Sequence, residues 1–297
     1  MPSRFRETVS MVAAAPLVVS SYTLGSEVGF AERARAAANA GYEGVGLRAE
    51  NYWDAGLDEA AMIAVAEQHG VRILEVEYLT AWGTPTDRDA AQQKKEQTVF
   101  HMARAFGVRH LNAGLLEKLP LDVMTESFAA LCERAGPDLT VALEFMPYSG
   151  VPDLATAWQI VQGVPNAGLI VDNWHWARAG QKPTDLDDVP AERIVSVQLC
   201  DVRAEPMDPL RAESLGHRLP PGHGYGDTIG LVKALAAHGV NPHVMAVEVI
   251  SDALVARGVD VAAQVTADAA REVIARAASD RAPSTPGRGT TPADGRR

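Results

Sequence analysis

Residues 121–144, LDVMTESFAALCERAGPDLTVALE, contain one complete structural unit of this chain. Leu121–Ala135 carries apolar residues at the three- and four-residue spacing of an amphipathic helix, and Gly136-Pro137 stops it. Thr140–Phe145 follows as a short run of strand formers. That strand is apolar until Glu144, an acid where the pattern predicts burial. The same unit recurs in both directions. Upstream, strands are expected at Pro16–Tyr22, Gly44–Arg48, Val71–Leu79 and Val108–Ala113. Helices at Phe30–Ala40, Asp58–His69 and Ala90–Phe106 lie between them, closed by Gly41, Gly70 and Gly107. Downstream, strands are expected at Gly168–Asp172, Ile194–Leu199 and Val244–Ile250, with helices at Leu154–Gln162, Asp227–Ala237 and Asp260–Ala278.

Eight such units imply parallel strands, right-handed crossovers and helices on the outside. An α/β fold of the (β/α)8 TIM-barrel type is therefore predicted. An open doubly wound sheet would carry a glycine-rich phosphate loop after its first strand, and this chain has none. The 297 residues suit one barrel, a fold of about 250 residues. Expected boundaries are an N-terminal extension at 1–14, the barrel at 15–279 and a disordered tail at 280–297. That tail is rich in Pro, Gly, Ser, Thr and Arg with almost no large apolar residue.

Composition narrows the function classes. Hydrophobic residues make up 47% and charged residues 22%, as in an ordinary globular chain. A net charge of -11 with no basic stripe argues against a nucleic-acid partner. Cys132 and Cys200 are too few for a disulfide framework and fit a reducing compartment. No run reaches the roughly 18 apolar residues of a membrane span. Arg4 and Arg6 ahead of Val9–Val19 resemble an export signal only weakly, because Pro16 breaks the run. A cytoplasmic location without membrane contact is expected.

Four consecutive predicted strands end in a polar residue: Val141-Ala-Leu-Glu144, Leu169-Ile-Val-Asp172, Val195-Ser-Val-Gln198 and Met245-Ala-Val-Glu248. Residues two apart in a strand share a face, and the neighbours Ala142, Ile170, Ser196 and Ala246 are mostly small, as a tapering interior requires. All four polar groups then point inward at the C-terminal rim, where barrel active sites sit. Three carboxylates in a partly dry site are protonated or bound to a cation. An oxygen-rich set of Glu144, Asp172, Gln198 and Glu248 suits one divalent ion, Mn²⁺ first, with Mg²⁺, Co²⁺ and Zn²⁺ as alternatives. The alternative is four strand-end residues bonded to neighbouring loops.

Leu143-Glu-Phe-Met-Pro147, Val171-Asp-Asn-Trp-His175, Gln198-Leu-Cys-Asp201, Arg218-Leu-Pro-Pro-Gly-His-Gly224 with Asp227, and Ala246-Val-Glu-Val249 together resemble the xylose isomerase-like barrel superfamily. That superfamily includes sugar isomerases, epimerases, related dehydratases and endonuclease IV. The resemblance runs from about Ser20 to Ala278. It implies that Glu144, Asp172, Gln198 and Glu248 hold the metal, that His175 and Arg218 contact substrate, and that the chain forms a dimer or larger. Gln198 departs from the histidine many members carry, and the loop Val202–His217 is long.

Other rim residues follow from position. Arg48 and Glu77 end the second and third strands and either reach the cavity or pair with each other. Trp53, Trp82, Trp174 and Trp176 follow strands; Trp82 is a candidate face for a sugar or ring. Asp201 is a candidate to orient a ligand, His223 a turn residue, Lys118 a poorly supported amine, and Cys200 an outward packing residue by alternation. The expected chemistry is proton abstraction next to a carbonyl, through a metal-stabilised enediolate, by Glu144 and Glu248 with His175 as a partner. The substrate class is a small sugar, keto-sugar or cyclitol, and the reaction an isomerisation or epimerisation. A lyase, of the inosose- or dehydroshikimate-dehydratase or C-glycoside-cleaving type, is the second reading. An endonuclease IV-like nuclease lacks enough rim histidines here, and a non-catalytic sugar-binding barrel is the remaining alternative.

Overall fold

Short apolar strands that must be buried on both faces need a partner on each side, and here they find it by closing on themselves. The computed structural model describes residues 12, 14–84 and 89–279. Its strands are β1 (Leu17–Val19), β2 (Gly44–Arg48), β3 (Arg72–Leu79), β4 (His110–Ala113), β5 (Thr140–Glu144), β6 (Ala167–Asp172), β7 (Ile194–Leu199) and β8 (Val244–Val247). All pair in parallel in sequence order, and β1 pairs with both β2 and β8 to close the barrel. The expected single-domain (β/α)8 fold is the observed one. The extension at 1–14 falls outside the described residues except for Val12 and Ala14, and the tail at 280–297 lies wholly outside them.

The helices form as their sequences direct. Asp58 caps Glu59–His69 by accepting from the Ala61 N–H, and Gly70 ends it at φ 76°. Asp89 and Gln92 form a capping box on Ala90–Ala105. Val259–Ala278 packs an alanine-rich face (Ala262, Ala263, Ala267, Ala270) into the core beside Phe30–Asn39. Among the described residues no helix is long and apolar enough to cross a membrane.

The two strands that fall furthest short of their expected bounds, β1 and β8, do so for local reasons. β1 stops at Val19 because Ser20 bonds to the carbonyl of Val247 and Ser21–Leu24 winds into a 3-10 turn. β8 stops at Val247, so Glu248 lies one residue beyond it, tethered by its N–H to the Leu199 carbonyl. Short helices at Ala49–Asp54, Asn173–Arg178, Leu210–Gly216 and Asp252–Val255 occupy segments expected to be loops at strand ends. Leu210–Gly216 gives the long 202–217 connection a fixed wall facing the barrel mouth.

Candidate functional site

Register sets Glu144 opposite Ile170, two residues before Asp172; Asp172 opposite Gln198; and Gln198 opposite Ala246, two residues before Glu248. Glu144, Asp172, Gln198 and Glu248 are all buried. Glu144 and Glu248 line a cavity of about 240 Å³ together with His175 and Arg218, whereas Asp172 and Gln198 do not reach its lining. Asp172 has two jobs. Its Oδ1 accepts the His175 N–H (2.9 Å) as the cap of Asn173–Arg178, and its Oδ2 accepts from Arg218 Nη1 (2.8 Å). The cap holds His175 over the strand ends, where its Nε2 lies 3.5 Å from Glu144 Oε1.

Arg218 is the centre of charge. It is buried, and Nη1 also donates to Glu248 Oε2 (2.9 Å). Nε donates to the Ser214 carbonyl (2.9 Å) and Nη2 to Ser214 Oγ (3.0 Å), so Leu210–Gly216 fixes the guanidinium plane. Burial alone would weaken its charge, but Asp172 and Glu248 raise its pKa well above the usual arginine range. Burial, then Glu248 and Asp172, push the Glu144 carboxyl well up; burial also raises Glu248, with Arg218 opposing. One guanidinium therefore faces three buried acids, and charge is only partly balanced.

Unsatisfied atoms mark what is missing. Among buried side-chain atoms without a hydrogen-bond partner are Gln198 Oε1, Glu144 Oε1 and His175 Nδ1. Two acceptor oxygens aimed into an acidic, buried site fit a hard divalent cation. Ligand atoms of Glu144, Asp172 and His175 lie within 4.8 Å of one another. Glu248 is outside that group because Arg218 draws its Oε2 aside.

Of the other expected residues, Arg48 reaches the cavity with its guanidinium stacked 4.1 Å over the Tyr22 ring. Its nearest acid is Glu50 at 3.9 Å, so the anticipated Arg48–Glu77 pair is not formed. Glu77 and Trp82 do not line the cavity: Glu77 lies buried against Ser20 and Ser21, and Trp82 packs edge-on to Phe128. One expectation is corrected. Cys200 turns inward, with Sγ 3.7 Å from Asp172 Oδ2, because it stands two residues after Gln198 and so keeps the same face; the outward placement had the parity wrong. Asp201 accepts from the backbone of Gly224 (3.0 Å) and Gly226 (2.7 Å) and so pins the Pro-Gly turn. His223 lies exposed in that turn, and Trp53 is exposed under Lys94.

Several cavity residues carried no sequence signal. Tyr78 reaches Met146 Sδ (3.4 Å) across Gly114, where any side chain would collide with the Tyr78 hydroxyl. Tyr148 donates to Ser214 Oγ (3.1 Å), and Arg211 joins Arg48 and Arg218 in the cavity lining. Glu213, fully buried, accepts from Trp174 Nε1 (3.1 Å), Arg178 Nε (3.0 Å) and Met207 N (2.8 Å), locking the wall to the Asn173–Arg178 helix.

The titrations have a checkable consequence. Burial lowers His175 and, in a separate cluster, His243 to about 3, and raises Glu77 to about 8. A depressed histidine contributes stability present above pH 6.5 and lost as pH falls toward 3. A raised acid contributes stability present below pH 4.5 and lost as pH rises through about 8. Without metal, the melting temperature is expected to fall in both directions from mildly acidic pH. A melting temperature flat from pH 6 to 9 by calorimetry (on the order of the window set by these shifts) contradicts this.

A family model described as xylose isomerase-like TIM barrel matches residues 34–276. The chain is 28% identical over 212 residues to a 3-dehydroshikimate dehydratase of Pseudomonas aeruginosa, covering 60% of this chain and 33% of the relative. It thus spans about a third of the length of that curated relative. Among solved structures, the IOLI protein with a zinc atom superposes at TM-score 0.77 with 18% identity over 88% of this chain and 98% of that one. D-psicose 3-epimerase with D-tagatose, from Clostridium cellulolyticum H10, gives 0.63 with 13% identity over 87% and 99%. At these identities the structural likeness shows the fold.

Proposed function

The chain belongs to the xylose isomerase-like TIM-barrel family, and from that premise we propose that it is a divalent-metal-dependent isomerase or epimerase of a small keto-sugar or keto-polyol. The observation that carries this reading is the convergence of Glu144, Asp172, Gln198 and Glu248 on one buried base, with Gln198 Oε1 and Glu144 Oε1 lacking partners. These four would hold the ion, Mn²⁺ by preference for an oxygen-rich set. A bound ion supplies Lewis-acid polarisation of a carbonyl oxygen.

The chain's own groups do the rest. Glu144 and Glu248 reach the cavity from non-adjacent strands, so one takes the proton next to the carbonyl and the other returns it. Burial raises the affinity of both carboxyls for protons, the direction needed by a group that exchanges a proton at about pH 7. His175 is neutral at that pH, accepting from Arg218 Nη2 (3.4 Å) at Nε2 and keeping a proton on Nδ1 for a substrate oxygen. Arg48 and Arg218 bind substrate oxygens.

A lyase is the second reading, favoured by the likeness to the dehydratase and by three arginines (Arg48, Arg211 and Arg218) in the cavity lining, which suit an acidic substrate. The test is a panel of keto-sugars and keto-cyclitols in deuterated water with metal-loaded protein. Deuterium at carbon without loss of water is expected; a new enone absorbance selects the lyase. Protein that binds about one ion per chain yet neither exchanges nor eliminates with any member overturns both.

A further inference from the structure

Behind Glu248 lies a second buried acid that the proposed reaction does not use. Ser20 Oγ stands 3.2 Å from Glu248 Oε1 and 3.0 Å from Glu77 Oε2. The Ser21 N–H donates to Glu77 Oε1 (2.9 Å). The turn carrying these serines is fastened on both sides of Glu248: Ser20 N and Thr23 Oγ1 donate to the Val247 carbonyl, and Val249 N donates to Thr23 Oγ1. Ser20 is therefore fixed, and its hydroxyl has one hydrogen for two carboxyl groups. Both contacts are hydrogen bonds only when one carboxyl brings a proton of its own.

Charge decides which one. Glu248 has the Arg218 guanidinium on its other oxygen. Glu77 has no ion-pair partner among the described residues. The cations near it do not pair with it: Arg33 donates to the carbonyls of Ser21, Gly25 and Val28, Arg48 stacks on Tyr22, and each keeps a buried Nε without a hydrogen-bond partner. On the same face of β3, Glu75 is also fully buried, with Oε2 unpartnered. Both acids project toward the space above Gly46, where a Cβ would collide with Glu77 Oε1 and lie 3.4 Å from Glu75 Oε2. Glu75 has His110 Nε2 at 3.3 Å and Ser196 Oγ at 3.2 Å on its Oε1, whereas Glu77 has only Ser20 and the Ser21 N–H, so a charge on Glu77 in this dry space is disfavoured. Burial, Glu75 and Glu248 together raise Glu77 to about 8.

We propose that Glu77 is a neutral carboxylic acid that donates to Ser20 Oγ, so that Ser20 turns its single proton onto Glu248 Oε1. Ser20 and Glu77 are then positioning residues. They fix Oε1 of Glu248 while Arg218 holds Oε2, and neither touches substrate. The effect on Glu248 rests on the function proposed above; the protonation of Glu77 does not.

Infrared difference spectroscopy of the full chain at pH 6.5, with Mn²⁺ present, tests it. Wild type minus Glu77→Gln is expected to contain the carbonyl stretch of a protonated carboxyl. In Ser20→Ala, which leaves Glu77 in place, the same band is expected to move to higher frequency as its acceptor is lost. Ser20→Ala is also expected to lower kcat about tenfold with little change in KM, the loss of one hydrogen bond to a charged group. A difference spectrum showing carboxylate bands instead, or a band unmoved by Ser20→Ala, overturns the proposal. If the band is present and moves but no metal-dependent turnover exists, the functional reading fails and the protonated Glu77 stands.

Discussion

Glu248→Gln is expected to lower turnover by about 10³-fold or more while leaving the fold intact. The amide keeps the volume of the acid and an oxygen for the Ser20 hydroxyl, which lies 3.2 Å from Oε1. It cannot take a proton from carbon. Arg218 keeps its 2.8 Å bond to Asp172 and its two bonds to Ser214, so the guanidinium stays where it is. Removing one of several buried acids also relieves the repulsion that raises Glu144. The metal-free variant should therefore melt no lower than wild type, which separates loss of chemistry from loss of structure. Glu144→Gln is expected to behave alike, because its acid stands on the other side of the cavity base with no other residue to replace it. Steady-state kinetics, circular dichroism and elemental analysis check the pair. An active Glu248→Gln variant in protein that holds no metal sinks the proposed mechanism.

The parts of this site that could be read in the sequence are those tied to strand periodicity. Glu144, Asp172 and Gln198 end runs whose alternation fixes the face of every side chain, so burial at the rim follows from spacing alone. The same rule, counted from Gln198, also puts Cys200 inward, so its outward assignment was a misreading of parity and not a failure of the pattern. Asp201 looked like a ligand-orienting acid because nothing local shows that three backbone and hydroxyl donors of a distant turn converge on it. Ser214 and Tyr148 were invisible for a related reason. They reach the cavity through a helix in a connection whose sequence has little periodicity and through the long-range packing of Glu213. Glu77 was seen as a rim acid, and its strand parity was right; its depth was not, because depth depends on how far Ser20 and Gly46 let neighbouring strands close over it.

Arg218→Met is expected to show how much of the site's charge balance falls on one side chain. Met fills similar volume and removes the guanidinium that bonds Asp172 Oδ2 and Glu248 Oε2. Leaving buried acids without their partner costs about 3–5 kcal/mol, because no solvent reaches them to compensate. For a chain of this size that is a fall in melting temperature on the order of 10 °C without metal. The loss should depend on pH in a definite sense. Arg218 lowers the pKa of Glu144 and Glu248, so without it both bind protons more tightly in the folded state. Stability contributed by a raised acid is complete below pH 4.5 and lost as pH rises, so the variant should approach wild type in acid and diverge from it in alkali. A divalent ion offers the same acids a second source of positive charge, so Mn²⁺ should restore more stability to Arg218→Met than it adds to wild type. Turnover should not return with it, since the substrate contact is gone. Calorimetry at acid and alkaline pH, with and without Mn²⁺, reads all of this. An equal loss at both pH values would place the cost in packing; no rescue by Mn²⁺ would mean that these four strand ends do not hold a cation.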